Sequence, residues 1–234
     1  MSKTAVIHQP DFLSYLGFFH RLLSADLFII LDCVQFVSGT NRSWTNRDKI
    51  KTEKGDKWLT IAVQKTKGLA KINEIYLSKT IDWRTDNLNL ITQNYKNAPF
   101  YNEIFPMVKT LYEYKCENLY KFNLQSILML NKMFDINIPF VMASGLNPQG
   151  TSNELLVDLL KKTGSDTYLS GIGAKDYFDP APFEKAGISV TWQAFTHPVY
   201  PQQYGEFIPY LSSIDLLFNC GMEKSREILR RSGK

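Results

Sequence analysis

The sequence predicts an α/β fold: a mainly parallel sheet flanked by helices, with a central, mostly helical insertion. Three observations lead there. Short apolar runs of strand length, at residues 4–7, 27–31, 138–143, 166–170 and 188–195, alternate with stretches of helical spacing. The first two runs enclose a helical segment, and strand, helix, strand in that order implies a parallel pair joined by a crossover. Between residues 82 and 135 the strand signals give way to helical ones.

Taken in order, Thr4, Ala5, Val6 and Ile7 make a short buried strand that runs into His8-Gln9-Pro10. Residues 16–24 follow as a helix, with Leu16, Phe19, Leu22 and Leu23 at helical spacing. Residues 27–31 are apolar and end in Asp32. Residues 37–57 are polar and rich in Arg, Lys, Asn and Gly, and read as a long loop, a kind more often functional than decorative. Residues 58–63 and 72–77 read as strands, paired across the turn-like Lys67-Gly68-Leu69.

In the helical stretch, Leu88, Ile91, Asn94 and Tyr95 mark one face, and Ala98-Pro99 ends that helix. Leu119, Phe122, Ile127, Leu130 and Phe134 mark a later face, whose aromatic positions read as core packing. After the strand at 138–143, Thr151-Ser152-Asn153-Glu154 has the form of a capping box opening a helix that Gly164 closes. A strand at 166–170 ends at Gly171, a short helix at 182–186 stops at Gly187, and a strand follows at 188–195. Ser212-Ser213-Ile214-Asp215 opens the last helix. The 234 residues, 44% hydrophobic, suffice for one full core, so residues 1–234 read as a single domain with a helical insertion at about 82–135.

Charge narrows the partners. Twenty-seven basic residues against 23 acidic give a net +4, and the basic residues are scattered apart from small groups at residues 42–51 and 226–231. A DNA-binding chain usually shows a denser basic face, so small anions such as nucleotides suit this balance better. Cys33, Cys116 and Cys220 have neither disulfide-framework nor zinc-site spacing, which points to a reducing cytoplasm and no structural metal. No apolar run approaches a membrane span, and the start of the chain carries no signal region, so a cytoplasmic location without membrane insertion is expected.

In parallel α/β sheets ligands bind outside the carboxyl ends of the strands, so the polar residues at those ends are the candidates for chemistry. His8 can bind phosphate or act as a general base; the competing reading is a histidine satisfied by a nearby carbonyl. Asp32 could orient His8, hold a metal with water, or accept from an amine or ribose hydroxyl, or simply cap a turn. Gln9 and Gln35 suit a sugar hydroxyl or an amide. Arg42, Asn46, Arg47 and Lys49 could clamp a diphosphate, unless they are an ordinary solvated loop. Ser170 and Gly171 close one strand, and His197, Tyr200 and Gln202 follow another. There is no GxxxxGK[ST], HExxH or GxSxG motif, and Cys33 reads as a small buried thiol.

Several of these residues lie in patterns that resemble the WbqC-like family. They are His8-Gln9-Pro10-x-Phe12-Leu13-x-x-Leu16-Gly17, Ala25-Asp26, Leu31-Asp32-x-Val34-Gln35-Phe36 and Asn46-Arg47 before Trp58-Leu59-Thr60. Tyr168-Leu169-Ser170-Gly171, Tyr200-x-Gln202 and the stretch from Leu211 to Gly221 fit the same family. Ser14-Tyr15 departs from a usual Pro-Trp pair, and His20 stands where lysine is common. The resemblance implies a place in bacterial O-antigen and related surface-polysaccharide pathways. It also implies transfer of glycine or another acyl group, as an amide, to a nucleotide-linked amino sugar. On that reading His8 is the base, Asp32 orients it or binds the amine, and Asn46, Arg47 and Lys49 hold an anionic donor or the diphosphate. Ser170, Gly171 and Gln202 line the acceptor pocket. The donor could be free with ATP, tRNA-linked or a thioester, so the cofactor is left open. The alternatives are a non-catalytic nucleotide-sugar-binding or accessory protein and, more weakly, a glycosyltransferase, against which the missing DxD-like motif argues.

Overall fold

The computed structural model describes residues 2–37, 43–66 and 68–233. Its strands are β1 (Thr4–His8), β2 (Leu27–Ile30), β3 (Arg47–Thr52), β4 (Gly55–Thr60), β5 (Phe140–Met142), β6 (Thr167–Ser170) and β7 (Ser189–Trp192). Its helices are α1 (Leu16–Leu22), α2 (Trp83–Tyr95), α3 (Tyr101–Glu113), α4 (Leu119–Phe134), α5 (Ser152–Lys162), α6 (Ala181–Ala186) and α7 (Ile214–Arg231). Five strands form one sheet in the order β5-β2-β1-β6-β7, with every neighbouring pair parallel.

Parallel strands linked by helical crossovers are buried on both faces, which explains the unbroken apolar runs. Val6, Phe28, Ile30 and Leu169 point into the larger core, beneath α1, α4 and α7. Ala5, Ile7, Leu27, Ile29 and Tyr168 point the other way, where Val157 and Leu160 of α5 and Phe183 of α6 cover them. The expected helical stretch consists of α2, α3 and α4, whose apolar faces join the larger core through Ile91, Val108 and Phe122.

Three local expectations are corrected. Residues 37–57 are not one loop: β3 and β4 form an antiparallel hairpin, from Arg47 opposite Thr60 to Thr52 opposite Gly55. Ile50 and Leu59 anchor it in the core, and Gly55, at φ +106°, makes its turn. The strand was hidden because two of its buried residues, Asp48 and Lys51, are charged. Residues 72–77 form a 3-10 turn at Ile72–Glu74, and the expected hairpin reduces to one antiparallel bridge between Val63 and Leu77. Lys67 lies outside the described residues. Thr151 does sit at the N-cap of α5, but its side chain makes no capping hydrogen bond.

Helix α7 is broken at Gly221, whose φ of +72° is left-handed and whose absent Cβ would lie 2.6 Å from the Phe100 ring. Both the backbone and the packing therefore demand glycine there. Gly221→Ala is expected to cost roughly 2–4 kcal/mol from strain and overpacking. A melting temperature within about 2 °C of wild type would show that the kink relaxes freely.

Candidate functional site

Strand order locates the site. From β1 the chain moves to β2 on one side, whereas from β6 it moves to β7 on the other, so β1 and β6 flank the point where the connections diverge. At such a point the loops leave in opposite directions and open a crevice beyond the carboxyl ends of the strands. A cavity of about 910 Å³ lies there, lined by His8 from the end of β1 and by Ser170 and Gly171 from the end of β6. Its volume falls in the upper part of the range for small-molecule sites.

The loop between β1 and α1 forms one wall and is tightly held. The buried amide of Asn123, on α4, donates to the carbonyls of Pro10 (2.7 Å) and Thr45 (2.6 Å). Ser212 Oγ donates to the Leu13 carbonyl at 2.6 Å, and Leu13 adopts a left-handed φ of +42°. Such a backbone conformation persists only where its surroundings enforce it. Thr45 Oγ1 lies 3.1 Å from Gln9 Oε1 and 3.2 Å from Asp11 Oδ1, linking both side chains to the segment that leads into β3.

Three ionisable groups stand together on the cavity wall. His8 Nδ1 lies 2.9 Å from the Gln9 carbonyl, which assigns the proton to Nδ1 and leaves Nε2 as the acceptor nitrogen. Burial, reinforced by the positive charge of Arg21, lowers the imidazole to about 3, so it is neutral at working pH. The 28% of its side chain that is exposed belongs to a residue on the cavity wall. Asp11 lies 3.6 Å from His8 Nδ1, and burial raises its carboxyl to about 7, against the hydrogen bond from Thr45 and the charge of Arg21.

Arg21, from α1, completes the set. It is only 5% exposed and lines the cavity. Among the described residues its guanidinium forms no ion pair, and its Nε is buried without a hydrogen-bond partner. It lies against the backbone of Gly171, where a Cβ would approach Nη1 to 2.9 Å. A buried cation without an ion-pair partner among the described residues costs stability.

Of the residues picked out in the sequence, the cavity gathers His8, Gln9, Ser170 and Gly171. Asp32 is spent elsewhere: it accepts from the Ser144 amide (2.9 Å) and hydroxyl (2.6 Å), and the carboxyl beside His8 is Asp11. Gln35 is exposed and bridges to Lys71. Asn46 donates to the Ile61 carbonyl, Lys49 pairs with Asp56 at 2.7 Å, and Arg47 lies over the Trp58 ring. His197 lies beyond the end of β7, its ring packed among Phe195, Phe207 and Tyr210. Tyr200 and Gln202 both donate to buried Asp215. Arg42 lies outside the described residues. The residues passed over are Asp11, Arg21, Tyr15, Trp44, Asp48 and Gln193, all on the cavity wall. Asp11 was the one signal available, being adjacent to His8-Gln9-Pro10.

The two shifted groups pull stability in opposite directions with pH. A raised Asp11 favours the folded state at low pH, and that benefit is lost as pH rises from about 4 through about 7. A lowered His8 favours the folded state above pH 6.5, and that benefit is lost as pH falls towards about 3. Relative to wild type, Asp11→Asn should therefore gain stability as pH rises through 4–7, and His8→Gln should lose it over about 3–6.5. Melting curves across this range check the signs; parallel pH profiles for all three proteins would contradict both shifts.

The fold and the site define an α/β protein with a cavity at the switch point of a parallel sheet, walled by a buried arginine, a histidine and carboxyl groups. The model of the WbqC-like protein family matches residues 9–227, and the chain belongs to that family. It is 31% identical over 226 residues to a protein of Mycobacterium tuberculosis (strain ATCC 25618 / H37Rv) named "Uncharacterized protein Rv1507c", covering 95% of this chain and 96% of that one. No solved structure matches the chain. Among the described residues, no helix is long and apolar enough to cross a membrane.

Proposed function

We propose that this chain is a transferase of surface-polysaccharide (O-antigen) biosynthesis that joins glycine or another acyl group, as an amide, to the amino group of a nucleotide-linked sugar. Family membership supports the polysaccharide context. The observation that carries the chemical part is the buried guanidinium of Arg21, without an ion-pair partner among the described residues, in the same cavity as a neutral imidazole and a carboxyl raised by burial to about 7.

In amide formation the sugar nitrogen attacks the acyl carbonyl carbon. The C–N bond forms as the bond from carbon to the oxygen or sulfur leaving group breaks, and the nitrogen gives up a proton. A base works best when its pKa lies near the operating pH, which favours Asp11 over His8 as the final proton acceptor. His8, neutral and with Nε2 free of its proton, is suited to accept a hydrogen bond from the amine and hold its lone pair towards the carbonyl. Arg21 would hold the anionic donor or the sugar-linked phosphate through paired N–H groups. The leaving group depends on the donor: phosphate or nucleotide if a free acid is activated with ATP, a tRNA hydroxyl, or a thiol.

The test is to incubate the purified protein with a nucleotide-linked amino sugar and each donor form in turn, and to follow the N-acylated product by mass spectrometry. Product formation that falls at least about a hundredfold in Asp11→Asn, which lacks the proton acceptor, supports the reading. The absence of product with every donor, despite tight binding of the nucleotide sugar, would favour a non-catalytic binding protein.

A further inference from the structure

We infer that Arg21 and the Asp11–Asp48 carboxyl pair form one subsite for a ligand that carries a primary ammonium together with a carboxylate or phosphate on the same molecule. All three residues line the one cavity. Asp11 and Arg21 are oppositely charged when ionised, yet they are not in ion-pair contact. If the cavity were only structural, collapse of the two into a buried pair would be the simplest way to satisfy both. Each is instead held back by its own support: Arg21 lies against the backbone of Gly171, and Asp11 accepts a hydrogen bond from Thr45.

Among the described residues Asp48 likewise has no ion-pair contact, although the Lys49 charge acts on it from a distance. Its Oδ1 accepts from the Lys49 amide at 2.6 Å, while the Lys49 ammonium turns away to Asp56. Around the carboxyl pair stand His8, Tyr15, Arg21 and Tyr210, with the Lys49 charge also acting on Asp48; Arg21 is the positive group on the cavity wall, while the Lys49 ammonium is taken by Asp56. Burial and the neighbouring carboxyl favour the protonated form of Asp48, so an arriving ammonium would displace protons and gain two anionic partners. The positive wall then takes the other end of the same ligand. Two sources share this charge pattern: a free α-amino acid, and an amino sugar bearing phosphate.

The inference deepens the transferase reading by naming the charge pattern of its substrate, and it is tested by binding alone. Calorimetric titration at about pH 8 would use two matched pairs of probes: glycine against N-acetylglycine, and glucosamine 1-phosphate against glucose 1-phosphate. In at least one pair the amine-bearing member should bind about tenfold more tightly or better. That preference should shrink towards unity in Asp11→Asn and in Asp48→Asn. In Arg21→Met both members of the pair should weaken together, and Gly171→Ala, which pushes the guanidinium aside without removing it, should do the same to a lesser degree. A preference confined to the first pair identifies the amino acid, and one confined to the second identifies the amino sugar. Equal binding within both pairs, no binding of any probe, or a preference untouched by both carboxyl variants would overturn the inference. Retained charge preference without amide formation would refute the transferase reading alone.

Discussion

Arg21→Met should lose function and gain, or at least keep, stability. Methionine matches much of the arginine stem and fills the same space between α1 and Gly171, but it removes a cation that is 5% exposed and has no ion-pair partner among the described residues. Removing an uncompensated buried charge relieves a desolvation cost that no protein contact offsets. The melting temperature is therefore expected to stay level or rise by a few degrees, as when a functional site is traded for stability. Ligand binding should move the other way. Loss of a charge-assisted, two-pronged hydrogen bond to a desolvated anion costs about 2–5 kcal/mol, roughly thirtyfold to several thousandfold in affinity or rate. Arg21→Lys should recover only part, because it restores the charge but not the planar fork. Paired thermal melts and ligand titrations decide it. A fall of about 10 °C in Arg21→Met would mean that the guanidinium supports the fold.

What the sequence conveyed, and what it did not, follows from the range over which each signal acts. The strand and helix periodicities of residues 4–31 and 138–195 are local, and they reappear as β1, α1, β2, β5, α5, β6, α6 and β7. The rule that ligands gather at carboxyl ends then led to His8, Ser170 and Gly171 without knowledge of strand order. Strand order itself is a tertiary property, and it separates the ends that flank the cavity from the others: β1 and β6 flank it, while Asp32, after β2, accepts from Ser144. Arg21 was hidden for a different reason. It follows Phe19 in a short amphipathic helix, where a lone arginine reads as the solvent-facing side. Only the approach of Gly171, 150 residues away in the chain, turns that position into a cavity wall. The β3–β4 hairpin shows the same limit, since burial of Asp48 and Lys51 depends on partners elsewhere in the chain: the Lys51 ammonium donates to Gln202 at 3.1 Å.

Asp215→Ala is expected to be the most destabilising single change in the chain outside the apolar core. The Asp215 carboxylate is fully buried and accepts three hydrogen bonds, from Tyr95 Oη (2.6 Å), Tyr200 Oη (2.9 Å) and Gln202 Nε2 (2.8 Å). Tyr95 Oη in turn accepts from the Lys51 amide of β3 at 3.0 Å. One side chain thus ties α2, the β3–β4 hairpin and the segment around Tyr200 to the start of α7. Truncation to alanine strands three donors, two of them (Tyr95 and Tyr200) buried, and breaking such a network typically costs about 3–5 kcal/mol. At roughly 2–4 °C per kcal/mol for a chain of this size, the melting temperature should fall by about 10 °C. Tyr200→Phe removes one hydrogen bond and leaves the ring packed, so it should cost only about 1–2 kcal/mol. It should also leave affinity for the cavity ligand unchanged, because its hydroxyl serves Asp215 rather than the cavity. A Tyr200→Phe protein that melts like wild type yet binds that ligand tenfold more weakly would return Tyr200 to the substrate-contacting role its sequence position invites.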